Sequence, residues 1–418
     1  MLGIVAVVQE IDTIEGCRAW VDAGPDRPPA AFQALDLRGV DGFESGSFRG
    51  CLFLSCVISP AQAAYLTATG ATVLRDDDIR PFTAHRATLY TPTELFEGFD
   101  PASGAGYDRT FDARVYRHWV ATGRQYPSMI DESLARRLHD HSITDALQEQ
   151  IEATEPVAIM GGHGLERASA TYASVARIAR SLARHGRLML SGGGPGVMEA
   201  THLGVWMAHF DDDDLDAALT VLSPRPAGAP PNREYADPDW LDRAWAVRER
   251  WPLDQVDDEH RFESIGIPTW MYGHEPPNAF ATRIAKYFAN SVREEGLLAI
   301  ATYGVAFAPG SAGTIQEIFQ DAAQNHYESF GPASPMVLLG RSYWTERHPV
   351  WAVLDSLSQG REYRDLITIT DDEAEVVEIL SAYERPPSRS VTDTDGGAIS
   401  PSRPRPVRDD RHRPPASR

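Results

Sequence analysis

The chain has 418 residues, 42% hydrophobic and 24% charged, with 60 Asp and Glu against 39 Lys and Arg for a formal charge of −21. That length fits two or three domains, and the acidic balance excludes the broad phosphate neutralisation on which nucleic-acid binding depends. Only one basic residue is a lysine, Lys286; no Walker A Gly-Lys-Ser/Thr exists, and any Schiff-base chemistry would fall on that residue alone. Cys17, Cys51 and Cys56 form no C-x-x-C pair and read as buried thiols of a reducing compartment. Leu2–Val8 is apolar, lacks a preceding basic residue and runs into Glu10 and Asp12. It predicts a first strand rather than a signal peptide. No stretch reaches the roughly 20 apolar residues of a membrane helix, so a cytoplasmic protein without membrane or nucleic-acid partners is expected.

In chain order, Met1–Glu155 reads as an accessory α+β region of unassigned role. Short β-like runs (Leu52–Ile58, Ala71–Leu74) alternate with turn-rich segments such as Asp22–Pro29 and Asp100–Gly106, and a helical stretch, Ser128–Ile151, closes it. The segments Ala34–Leu37 and Phe48–Cys51 are faintly similar to pentapeptide repeats, with too few turns to build a solenoid. From Pro156 to Arg385, strand and helix alternate. Strands are expected at Val157–Met160, Arg187–Leu190, Ile265–Trp270, Val305–Ala308, Met336–Gly340 and Leu366–Thr370. Helices are expected at Thr171–Arg184, from Val197, and at Thr314–Gln324, Pro349–Leu357 and Asp372–Ala382. This alternation predicts an α/β, Rossmann-like doubly wound parallel sheet. Phe210–Glu263, with Asp211–Asp214, Asp216, Asp237, Asp239, Asp257, Asp258 and Glu259, reads as an acidic surface insertion, its Asp run a solvated face or helix start rather than a cation site. Pro386–Arg418, dense in Pro, Arg, Ser and Asp, reads as a disordered tail.

Three glycine loops sit where an open α/β sheet binds ligands, at the carboxyl ends of strands. They are Gly161-Gly162-His163-Gly164, Ser191–Glu199 and Pro309–Glu317. Free amides at a helix start favour an anion, and glycine lets the backbone approach it. Three such loops in one domain predict a phosphorylated ligand. None has the acidic partner of a dinucleotide fingerprint. Glu317 admits two readings: half of a Thr314-x-x-Glu317 capping box, or a carboxylate kept beside the anion for chemistry. His163 and His202 lie near the loops and read as scaffold residues.

Gly-Gly-Gly-Pro-Gly-Val-Met-Glu-Ala at 192–200 and Pro-Gly-Ser-Ala-Gly-Thr-x-x-Glu at 309–317 together resemble the LOG family, often mislabelled as lysine decarboxylases. Within it, the Gly-Pro-Gly-x-Met-Glu-Ala form and the step Glu275-Pro276-Pro277-Asn278 resemble the larger bacterial nucleotide 5′-monophosphate nucleosidases. The resemblance covers about Pro156–Tyr383. It implies hydrolysis of a nucleoside 5′-monophosphate to free base and ribose 5-phosphate without metal or cofactor, in a homo-oligomer. It implies a catalytic pair of Glu317 and Arg293, with Arg283 as the fallback. Gly161, Gly162, Gly193, Gly194, Gly196, Met198 and Glu199 would hold substrate, together with Pro309, Gly310, Ser311, Ala312, Gly313 and Thr314. Arg293 is expected to keep Glu317 ionised. Ser311 replaces the family's second glycine, which matters if that position needs a positive φ. The alternative is a non-catalytic protein of the same fold that binds or senses a nucleotide or phosphorylated cofactor.

Overall fold

Four short strands, β1 (Gln9–Ile11), β2 (Ala30–Gln33), β3 (Leu52–Leu54) and β4 (Thr72–Leu74), pair in that order as a small parallel sheet. The computed structural model describes residues 8–387 except 25, 75–79, 105, 226–228, 231, 255 and 257–260. Most of the expected Leu2–Val8 strand, the acidic residues Asp257, Asp258 and Glu259, and the tail from Ser388 therefore lie outside the described residues. β2 and β3 are successive rungs: Phe32 pairs with Phe53 in register and the rings stack at 4.7 Å. Each strand is followed by a residue in left-handed backbone, Ala34 (φ 52°) and Ser55 (φ 50°). Trp20, Phe43 and Phe48 close a core that belongs to this sheet alone.

Seven further strands form the main sheet. They are β5 (Pro156–Met160), β6 (Leu188–Ser191), β7 (Ser264–Gly266), β8 (Arg283–Ile284), β9 (Val305–Phe307), β10 (Met336–Leu339) and β11 (Ile367–Thr370). Their order is β11-β10-β9-β5-β6-β7-β8, all parallel. The fold is α/β and Rossmann-like. Both faces are covered, and the strand period of two decides which residue goes where. Ala158, Met160, Leu188, Leu190, Val305, Phe307, Met336 and Leu338 join one core. Val157, Ile159, Met189, Ala306, Val337 and Leu339 join the other. Strand order reverses between β5 and β9, and a crevice at that switch point is where such sheets hold ligands.

Two expected boundaries are drawn differently by the packing. Residues 1–155 do not form one accessory region, because from Arg80 onward the chain packs on the main sheet. Phe82, Leu89, Tyr90, Val115, Trp119 and Ile143 share a core with β5 to β10. Tyr90 bridges Ile284, and Asp140 on the helix Ile130–Ile151 accepts the amides of Phe288 and Ala289 at 2.8 Å each. Likewise Phe210–Glu263 is a core-building layer, not a surface insertion. Its helices Asp212–Leu222 and Pro238–Arg250 bury Leu215, Leu222, Trp240, Leu241 and Val247 against the sheet. A buried side chain of this size contributes about 1.5–3 kcal/mol. The Asp run does start a helix: Asp212 pairs with Arg180, and Asp214 accepts the Trp251 indole at 2.9 Å. No helix of the described residues is long and apolar enough to cross a membrane.

Candidate active site

A cavity of about 250 Å³ lies over the switch point and runs from the ends of β5 and β9 across to the β7–β8 connection. All three glycine loops reach it. Its lining includes Gly161, Gly162, Gly193, Gly194 and Met198, then Ser311, Gly313 and Thr314, and both Arg293 and Glu317. Of the substrate residues expected from sequence, Gly196, Glu199, Pro309, Gly310 and Ala312 do not line it. Gly196 has φ 69°, and a Cβ there would strike the Gly162 carbonyl, so this glycine serves the close approach of two loops. Pro309 and Gly310 act through carbonyls: Pro309 O accepts from Gly162 N at 3.1 Å and Gly310 O from the Tyr343 hydroxyl at 2.6 Å. Glu199 is fully buried on the far side of its helix. It accepts Arg167 Nε and Nη2 at 2.8 and 2.6 Å and the Tyr172 hydroxyl at 2.9 Å, which leaves it nothing for a ligand.

The helix Ala312–Tyr327, whose start lines the cavity, begins at Ser311 with no side-chain cap. Val197–Trp206 also lacks a side-chain cap, but its first amide donates to Gly162 O at 3.2 Å and neither Gly196 nor Val197 lines the cavity. Elsewhere Ser169, Thr110 and Asp372 cap helices, while Ile130–Ile151 and Asn290–Ile300 also start without a side-chain cap. Uncapped amides facing a cavity suit an anion. The capping-box reading of Glu317 fails on the same observation. Ser311, not Thr314, is the N-cap, so Thr314 already lies inside the helix and Glu317 one turn beyond it. Ser311 has φ −111°, so this position does not need the positive φ that would call for glycine.

Glu317 accepts no hydrogen bond from the described residues. Burial pushes its carboxyl up to about 7; the Arg293 guanidinium pulls it down and Glu294 pushes it up, but burial is the largest influence. The expectation that Arg293 holds Glu317 ionised is thus only partly met, because desolvation outweighs the guanidinium. Arg293 is itself buried on the helix Asn290–Ile300. Its Nε donates to Ile267 O at 2.7 Å and its Nη2 to Gly192 O at 3.4 Å, while Nη1 has no partner among the described residues. Arg283, the fallback, sits in β8, donates to Thr282 O and does not line the cavity. One turn past Glu317, buried Asp321 is pushed up to about 8 by desolvation.

His202 is scaffold: it bridges the Ser191 and Ser264 hydroxyls at 2.8 and 2.9 Å, and burial pushes it down to about 3. His163 does line the cavity. Asn278 ties the second glycine loop in place, its amide donating to Gly193 O at 2.9 Å while its side-chain oxygen accepts from Phe280 N and Ala281 N. The lining also contains residues that sequence reasoning assigned no role here: Thr269, Tyr272, Glu275, Lys286, Glu294 and Gln316. One signal for Lys286 was available, a single lysine kept in a chain that otherwise uses arginine.

No protein-family model and no curated protein sequence matches this chain. Among solved structures, the chain is similar to the molybdenum cofactor carrier protein MCP from Chlamydomonas reinhardtii, at 15% identity and a TM-score of 0.30, over 54% of this chain and 94% of that one.

Proposed function

We propose that this protein is a LOG-type N-glycosyl hydrolase that cleaves nucleoside 5′-monophosphates to free base and ribose 5-phosphate. The observation that carries the reading is Glu317: a carboxylate without a hydrogen-bond partner among the described residues, in one cavity with Arg293 and the uncapped helix start at Ser311–Thr314. The helix-start amides at Ser311–Thr314 would hold the 5′-phosphate, which places the ribose within reach and lowers the entropic barrier. Glycosidic cleavage builds positive charge on the sugar. Glu317, once ionised, stabilises that charge and takes a proton from the attacking water, and a carboxyl near 7 suits a general base at neutral pH. Arg293 Nη1, without a partner among the described residues, would orient it.

Non-catalytic binding of a nucleotide or phosphorylated cofactor is favoured by one feature, the neutral form of Glu317 below pH 7, which tolerates an anion without further chemistry. Incubation with AMP, GMP, CMP and UMP separates the two. Hydrolysis yields free base by chromatography. Saturable binding by calorimetry without base release leaves only the receptor.

A further inference from the structure

The cavity has two ends, and the sheet order sets them apart. The phosphate grip lies over β5 and β9; the opposite end lies over β7 and β8, two and three strands further from β5. With the phosphate held at the first end, the base extends toward the second. At that end stands Lys286, just past the end of β8, buried to 1% exposure yet part of the cavity wall. Its Nζ lies 2.6 Å from Asp112 Oδ1 and 5.3 Å from the centre of the Trp270 ring. An ammonium has three protons, and no other partner for Nζ exists among the described residues. Asp112 is held in turn by the Trp270 indole at 3.0 Å and the Tyr107 hydroxyl at 2.5 Å. A buried cation needs its counter-ion, yet a pair serving only stability does not have to sit in the wall of a ligand cavity.

We propose that Lys286 is the leaving-group acid of the proposed reaction, with Asp112 as its positioning residue; the inference rests on the nucleosidase reading. As the C1′–N bond breaks, its electron pair goes to the base nitrogen, which takes a proton from Nζ. Water supplies the new C1′–O bond and its proton goes to Glu317. After products leave, solvent carries the proton from Glu317 back to Lys286. Burial lowers the Lys286 pKa and Asp112 opposes that shift, which makes the ammonium a readier donor than a surface lysine.

The test uses two substrates, GMP and p-nitrophenyl ribose 5-phosphate, whose nitrophenolate departs without a proton. Lys286→Met is expected to lose about 100-fold or more in kcat on GMP, the usual size of general-acid help, and less than about 3-fold on the nitrophenyl substrate. The second rate also shows that the variant is folded. Equal losses on both substrates, or none on either, overturn the proposal. So does a Lys286→Met variant that is unfolded by circular dichroism while Lys286→Arg, which keeps the charge but not the acidity, retains full GMP turnover. Wild-type protein that cleaves neither substrate refutes the nucleosidase reading itself.

Discussion

The two glycine-loop helices carry a glutamate each, and the two could hardly be treated more differently. Glu199, on the first turn of Val197–Trp206, is saturated by Arg167 and Tyr172 and excluded from the cavity. Glu317, on the second turn of Ala312–Tyr327, has no hydrogen bond from the described residues and faces the cavity under a desolvation load that lifts it to about 7. The same residue type beside the same kind of loop thus builds structure in one place and is left facing a cavity in the other. The deciding factor is the supply of partners. A buried carboxylate with three hydrogen bonds is a stable cross-link, whereas half-buried Glu317 is desolvated without such partners among the described residues.

That contrast can be broken by exchanging charge for an isosteric amide at each site. Glu317→Gln is expected to cut base release by about 1,000-fold, in the range seen when a general base is removed, while calorimetry still shows nucleotide binding. Its thermal midpoint should rise at pH 8. The sign follows from linkage: a carboxyl raised from 4.5 to about 7 stabilises the fold fully below 4.5 and loses that contribution as pH rises through 7. Removing the charge removes the loss. Glu199→Gln should do the reverse, leaving Arg167 buried without its counter-charge. A denaturant melt is expected to show a loss of about 3–5 kcal/mol, with the turnover of the folded fraction preserved. Ser311→Gly marks the small end of the series. Because Ser311 has φ −111°, glycine adds no needed conformation, and KM for GMP should change by less than about 2-fold.

Much of this was legible in the chain. The main strands and the helices that follow β5, β6, β9 and β11 announce themselves by apolar runs, glycine loops and 3.6-residue spacing. The Arg293 and Glu317 pair and eight of the lining positions expected to hold substrate were named from the motifs. β8 escaped because two residues carry no periodicity. The layer at 210–263 was hidden by its aspartates, although Trp240, Ala244, Val247 and Trp251 fall at helical spacing and all are buried. The split between Glu199 and Glu317 was not readable, because Arg167 and Tyr172, which neutralise Glu199, are brought to it only by the packing of another helix. The Asp112–Lys286 pair joins segments 174 residues apart for the same reason.

The proposed hydrolysis requires that Glu317 titrate near neutrality and act in its ionised form. The direct measurement is the pH dependence of kcat/KM for GMP in wild-type protein and in Arg293→Met. In wild type the rate should climb with pH on a limb centred near 7. Losing the guanidinium that favours the anion should move that limb to higher pH. A rate that is flat from pH 5 to 8, or a limb that Arg293→Met leaves in place, would contradict the account.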